Sequence, residues 1–93
     1  MVILIVERTP VGLKGEMSRL AIEFKAGVFV ANINARVRDK LWQRVKVKWN
    51  LDALMIFTTN NEQGYEVRKN GDPSRDIVDC EGVFLTHLYK DEK

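Results

Sequence analysis

The sequence predicts an α/β sandwich, one sheet with two helices packed on a single face. Three observations predict it. Two near-continuous apolar runs, VILIV at residues 2–6 and LDALMIFT at residues 51–58, read as strands at the centre of a sheet. Two segments with apolar side chains at helical spacing follow strands through short links. The elements then run strand, helix, strand, helix, strand, hairpin strand, strand, an order that places both helices on one side of the sheet.

The first run stops at a carboxylate, Glu7, and a cation, Arg8, before Thr9 and Pro10 turn the chain. Polar groups thus gather at the carboxyl end of a strand that feeds a helix, where ligands commonly meet α/β sheets. Residues 13–24 read as the first helix. Leu13, Met17, Leu20, Ala21 and Phe24 fall at i, i+4, i+7, i+8 and i+11, with Pro10 and Gly27 as its limits. Val28-Phe29-Val30-Ala31 is β-branched and aromatic and reads as a strand. Residues 24–33 as a whole are compatible with one strand or with two pieces joined by a bulge. Asn34 is a suitable N-cap for a second helix over residues 35–48, with Val37, Leu41, Val45 and Trp49 as its apolar stripe. After the second apolar run, TNNEQG is a turn cluster, and Tyr65-Glu66-Val67-Arg68 alternates as a half-exposed strand paired with the preceding one. NGDPSRDIVD at residues 70–79 reads as a loop. VFLTHL at residues 83–88 reads as a last strand, followed by a charged tail. At this length a ferredoxin-like sandwich is the economical arrangement. The central strands are apolar on both faces, so the face away from the helices is expected to be covered by a second copy about a two-fold axis.

Composition bounds the function. Ninety-three residues make one domain. A hydrophobic share of 45% with 30% charged residues describes a globular chain rather than a disordered or membrane one. The net charge of +2 does not by itself imply a polyanion, so local distribution decides. It is uneven. Residues 35–48 carry Arg36, Arg38, Lys40, Arg44, Lys46 and Lys48 against one acid, Asp39, and that imbalance puts an anionic partner on a par with a merely solvated face. The single cysteine, Cys80, excludes an intrachain disulfide, fits a reducing cytoplasm and reads as a small apolar filler. The only histidine, His87, lies in an apolar strand and reads as a packed ring. Trp42 and Trp49 flank the second helix's stripe and read as core or interface residues rather than base-stacking platforms. No apolar run approaches ~18 residues, so no membrane span is expected. Gly12 and Gly15 do not have phosphate-loop spacing.

Taken in order, these pieces resemble CRISPR-associated protein 2 of the type I-E systems. The resemblance rests on the aliphatic first strand ending in Glu7 with Pro10 after it, Gly15, Arg19-Leu20-Ala21-Ile22 and Ala26-Gly27-Val28-Phe29-Val30. It continues through Ala35-Arg36-Val37-Arg38 with Trp42, Thr59-Asn60 with Glu62, Gly64-Tyr65-Glu66, and Val78-Asp79 with Gly82. It implies a homodimer of ferredoxin-like subunits, residues 1–93 forming one domain. That homodimer would act as the adaptor of spacer acquisition, bridging dimers of the integrase, CRISPR-associated protein 1, with duplex DNA across its basic surface. Residues 83–93 would be the integrase contact.

The resemblance also bears on the site residues. Relatives place two arginines before the first helix, where this chain has Gly12 and Lys14, and a further pair in the loop after the hairpin, where it has Ser74 and Arg75. Lys14 and Arg75 are therefore the first candidate DNA contacts, with Arg36, Arg38 and Arg8 next and Arg19 or Lys69 as further substitutes. Phosphate contacts need charge rather than base readout, so relocated cations suffice. This scaffold role requires no cofactor. The alternative is a metal-dependent endonuclease, acting on DNA or RNA, with Glu7 at the dimer interface as catalytic residue and metal ligand, two copies of it sharing one Mg²⁺ or Mn²⁺, and Glu62 as a second ligand nearby. The ordinary roles of these acids are an ion pair with Arg8 or a helix cap for Glu7, and a turn carboxylate for Glu62. Few carboxylates converge, which weighs against hydrolysis. A generic ligand sensor is a third reading, and a chain this small offers it little pocket.

Overall fold

The uninterrupted apolar run forms β1 (Val2–Val6), and the sheet is built outward from it. The structure is a computed structural model that describes residues 1–60, 62 and 64–72. Its elements in chain order are β1, α1 (Val11–Leu20), β2 (Ala21–Lys25), β3 (Val28–Ala31), α2 (Ala35–Gln43) continued by a π-helical turn (Arg44–Lys48), β4 (Ala53–Thr58) and β5 (Tyr65–Asn70). Among the described residues five strands lie in the order β2-β3-β1-β4-β5, every pair antiparallel. Strands β1 to β4 with two helices have the ferredoxin-like arrangement, and β5 extends the sheet as a hairpin partner of β4.

The period-two alternation of the strands sends side chains to two faces. Val2, Leu4, Val6, Phe29, Ala53, Met55 and Phe57 point to one face. There they pack with Leu13 and Met17 of α1 and with Leu41, Trp42 and Val45 of the second helical segment. Ile3, Ile5, Val28, Leu54 and Ile56 form a separate cluster on the opposite face. That second cluster is only 1–3% exposed within the single chain. Burial of these five side chains therefore does not in itself demand a second copy.

The first helix departs from its expected span. It ends at Leu20, not Phe24, and Ala21–Lys25 is instead the edge strand β2. The helical stripe does continue through Ala21 and Phe24, but strand pairing wins. Ala21 opposes Ala31, Ile22 opposes Val30 and Glu23 opposes Phe29, with a bulge between Glu23 and Lys25. The hairpin closes through Gly27, whose φ of +80° suits glycine. A Cβ there would lie 2.5 Å from the Val6 carbonyl oxygen. The residue expected to stop a helix thus turns a hairpin, and the open choice over residues 24–33 resolves into the ends of two bulged, paired strands.

The second helix begins as expected. Asn34 Oδ1 accepts the Val37 amide at 2.9 Å, an N-cap bond. After Gln43 the winding widens, and the Trp49 amide donates to the Arg44 carbonyl five residues back at 3.0 Å. Asn50, at φ 47°, closes the segment, and the Leu51 amide reaches the Val45 carbonyl at 3.0 Å. Leu51 and Val45 are both buried, the apolar contact that accompanies such a terminus. Cys80, His87, the loop after residue 72 and the last strand and tail lie outside the described residues.

Candidate nucleic-acid interface

The helices α1 and α2 with the π-helical turn form one layer, and its charge is lopsided. The layer carries Lys14, Arg19, Arg36, Arg38, Lys40, Arg44, Lys46 and Lys48 against two carboxylates, Glu16 and Asp39. Both carboxylates are already engaged. Glu16 pairs with Arg44, joining α1 to the second helical segment. Asp39 accepts from Arg68 Nη1 at 2.8 Å and from Arg38 Nε at 3.1 Å. The hydrogen bond from Arg68 and then that from Arg38 hold the Asp39 carboxyl below the ordinary aspartate value. Lys14, Arg19, Arg36, Lys40, Lys46 and Lys48 remain exposed on the layer. A surface of this kind attracts a polyanion by charge density, without selecting a base sequence.

The candidate DNA contacts divide between two ends of this layer. Arg8 and Lys14 are exposed beside the carboxyl end of β1, in the turn and the first half of α1. Arg36 and Arg38 lie in the first half of α2, at the opposite end of the sheet, where β3 finishes beside Val2. Arg36 is exposed. Arg38 is not a free surface cation, because its guanidinium stacks 3.9 Å from the centroid of Phe57 and its side chain is 16% exposed. Arg75 lies outside the described residues. Arg68 was no candidate from the sequence. Its place on β5 opposite Met55 brings it to the helical face, where it also lies 4.8 Å from the Phe57 ring. Only the alternation of Glu66 and Arg68 with Tyr65 and Val67 hints at that.

The acids are arranged differently from what a shared metal site needs. Glu7 is exposed at the carboxyl end of β1, where its amide donates to the Asp52 carbonyl at 3.2 Å. Glu62 is exposed in the β4–β5 turn. Val2 opposes Phe57 and Val6 opposes Ala53, so the two acids sit at opposite ends of the sheet. Five residues of strand, roughly 16 Å, separate those ends. No group of three or more His, Cys, Asp or Glu side chains capable of holding a metal occurs among the described residues. The carboxylate neighbouring Glu7 is Asp52, which sequence reasoning passed over. Asp52 Oδ1 is occupied by the Asp72 amide at 3.0 Å, and it crowds Gly71, which holds φ +71°. A divalent ion bridging Glu7 and Glu62 does not fit one chain.

No helix among the described residues is long and apolar enough to cross a membrane. Residues 1–85 match the model of a CRISPR-associated protein family, Cas_Cas2CT1978, and the chain belongs to that family.

Proposed function

We propose that the protein is a type I-E homodimeric adaptor in CRISPR adaptation, holding duplex DNA by its phosphates while bridging integrase dimers. Membership of a Cas2 family supports the role in CRISPR adaptation. The observation that carries the duplex is the charge of the helical layer, eight cations with both of its carboxylates tied in ion pairs. Electrostatic contacts of this sort need no cofactor and read no sequence. Two copies related by a two-fold axis present two such layers at a fixed separation, which sets the span of the complex. The integrase contact falls to residues 83–93.

Duplex binding tested across salt concentrations is the decisive experiment. Affinity should fall steeply and linearly in log–log form, by roughly 0.9 log units per phosphate neutralised for each tenfold rise in salt. Unrelated duplexes should bind alike, and Lys14→Glu or Arg75→Glu should weaken binding. Binding that ignores salt would overturn the reading. Co-purification with the integrase, with and without residues 83–93, tests the bridging role. The endonuclease reading, with Glu7 at the dimer interface, has less behind it, since few carboxylates converge near Glu7 among the described residues.

A further inference from the structure

The π-helical turn at the end of the second helix redirects a lysine. If α2 continued with ordinary four-residue bonds, Lys48 would follow Leu41 and Val45 at i+7 and i+3 on the stripe that faces the core. The wider turn, closed by the Trp49 amide on the Arg44 carbonyl, moves the sequence out of that phase. Trp49 takes the inward position and packs against the core, while Lys48 stays exposed. The Trp49 ring lies over the first turn of α1, where Gly12 leaves room for it. A Cβ at Gly12 would stand 3.3 Å from Trp49 Cζ2. Lys48 Nζ in turn sits 4.9 Å from the centroid of the same ring, within cation–π range. The ring therefore joins the π turn to the beginning of α1 and holds the lysine's ammonium on its face. Two residues along α1 from Gly12 is Lys14, also exposed, and two residues back from Lys48 is Lys46.

We infer that Lys48, held by Trp49, is a phosphate-contact residue of the duplex surface, at the end of the helical layer where α1 begins. This rests on the duplex reading above and adds a residue and a positioning device to it. Lys48 supplies the charge. Trp49 acts through Lys48 as a positioning residue, because a lysine restrained on a ring loses less freedom when a phosphate arrives. A phosphate oxygen approaching from solvent meets the ammonium on the side away from the indole.

The test uses the full chain, a 30-bp DNA duplex of arbitrary sequence and a salt titration read by fluorescence anisotropy. Lys48→Ala should reduce the slope of log affinity against log salt by about 0.9. Lys25→Ala, on edge strand β2 and away from the helical layer, should leave the slope unchanged. Trp49→Leu should weaken binding at every salt concentration while keeping the slope, since no charge is lost, and Trp49→Phe should restore part of the affinity. A thermal melt of each variant separates that loss from a folding defect. Duplex binding with wild-type slope in Lys48→Ala would overturn the inference and leave the duplex reading intact. Absence of salt-sensitive duplex binding by the unaltered chain would overturn both.

Discussion

The guanidinium of Arg38 lies over the Phe57 ring, with Cζ 3.9 Å from its centroid, and Arg68 approaches the same ring at 4.8 Å. Asp39 ties the two cations together, with contacts of 3.0 Å to Arg38 and 2.8 Å to Arg68. Phe57 is the last core side chain of β4 on the helical face, so this stack seals α2 against the β4–β5 hairpin.

A division of labour between two nearby arginines follows. Arg38→Ala should lower stability by about 1 kcal/mol through lost stacking and lost cover over Phe57. Arg36 is exposed, so Arg36→Ala should leave stability within about 0.5 kcal/mol. On the duplex reading, Arg36→Ala should also reduce the salt slope of binding by close to one contact. Urea denaturation and a salt titration on both variants check the pair, and equal stability losses would contradict it.

The same stack gives a pH dependence with a definite sign. The Asp39 carboxyl is held below its ordinary value of 3.8 by hydrogen bonds from Arg68 and then Arg38. A carboxylate whose folded pKa is depressed contributes stability that is fully present above the unfolded value and disappears as pH falls through the folded one. The contribution should therefore be constant from neutral pH down to the ordinary aspartate range and decline below it. It should be small, because the carboxylate is exposed and screened. Asp39→Asn should flatten that part of the curve. Denaturation midpoints from pH 7 to pH 2.5, compared between the two proteins, measure it.

Much of this fold is legible in the sequence for reasons that can be named. β1 and β4 are buried on both faces, so they appear as unbroken apolar runs, and Asn34 announces the second helix through its side-chain oxygen. β2 was hidden because it is an edge strand with Ile22 and Phe24 largely exposed, and those residues extend a helical stripe as readily as a strand. Local pattern cannot report a pairing with β3 that depends on Gly27 fitting against Val6. The π turn was hidden for a similar reason, since its phase shift is set by Trp49 meeting Gly12 across the helices. For the site, the surplus of cations on the second helix was readable. The engagement of Arg38 with Phe57 and the separation of Glu7 from Glu62 needed the sheet register.

Two glycines should respond to the same substitution with opposite signs. Gly27 holds φ +80° with the Val6 carbonyl oxygen 2.5 Å from where a Cβ would sit, and its own carbonyl accepts the Val6 amide at 2.9 Å. Gly27→Ala should cost on the order of 1–3 kcal/mol from backbone strain, with the clash added. Gly15 lies inside α1, and no atom of the described residues comes within 4 Å of an added Cβ. Gly15→Ala should stabilise by about 0.5–1 kcal/mol, by helix propensity and a less flexible unfolded chain. Thermal melts of the two variants provide the check, and a stabilised Gly27→Ala would mean that the β2–β3 hairpin is not turned as described.

The tie between the helices offers a sharper measurement. Glu16 is largely buried, with its side chain 19% exposed, and it pairs with Arg44 through one oxygen while Oε2 is buried without a hydrogen-bond partner among the described residues. A half-satisfied, poorly hydrated carboxylate depends on its cation, so removing the cation alone leaves a charge that water reaches only in part. Arg44→Met should therefore destabilise by about 1–2 kcal/mol, whereas Glu16→Leu combined with Arg44→Met should recover most of that loss. The neighbouring Leu20, Val37 and Leu41 can pack against the new apolar pair, because they line the same cleft between α1 and α2. A double-mutant cycle by chemical denaturation measures the coupling. Additive losses would show that Glu16 and Arg44 act independently, with the helical layer held by its apolar stripe alone.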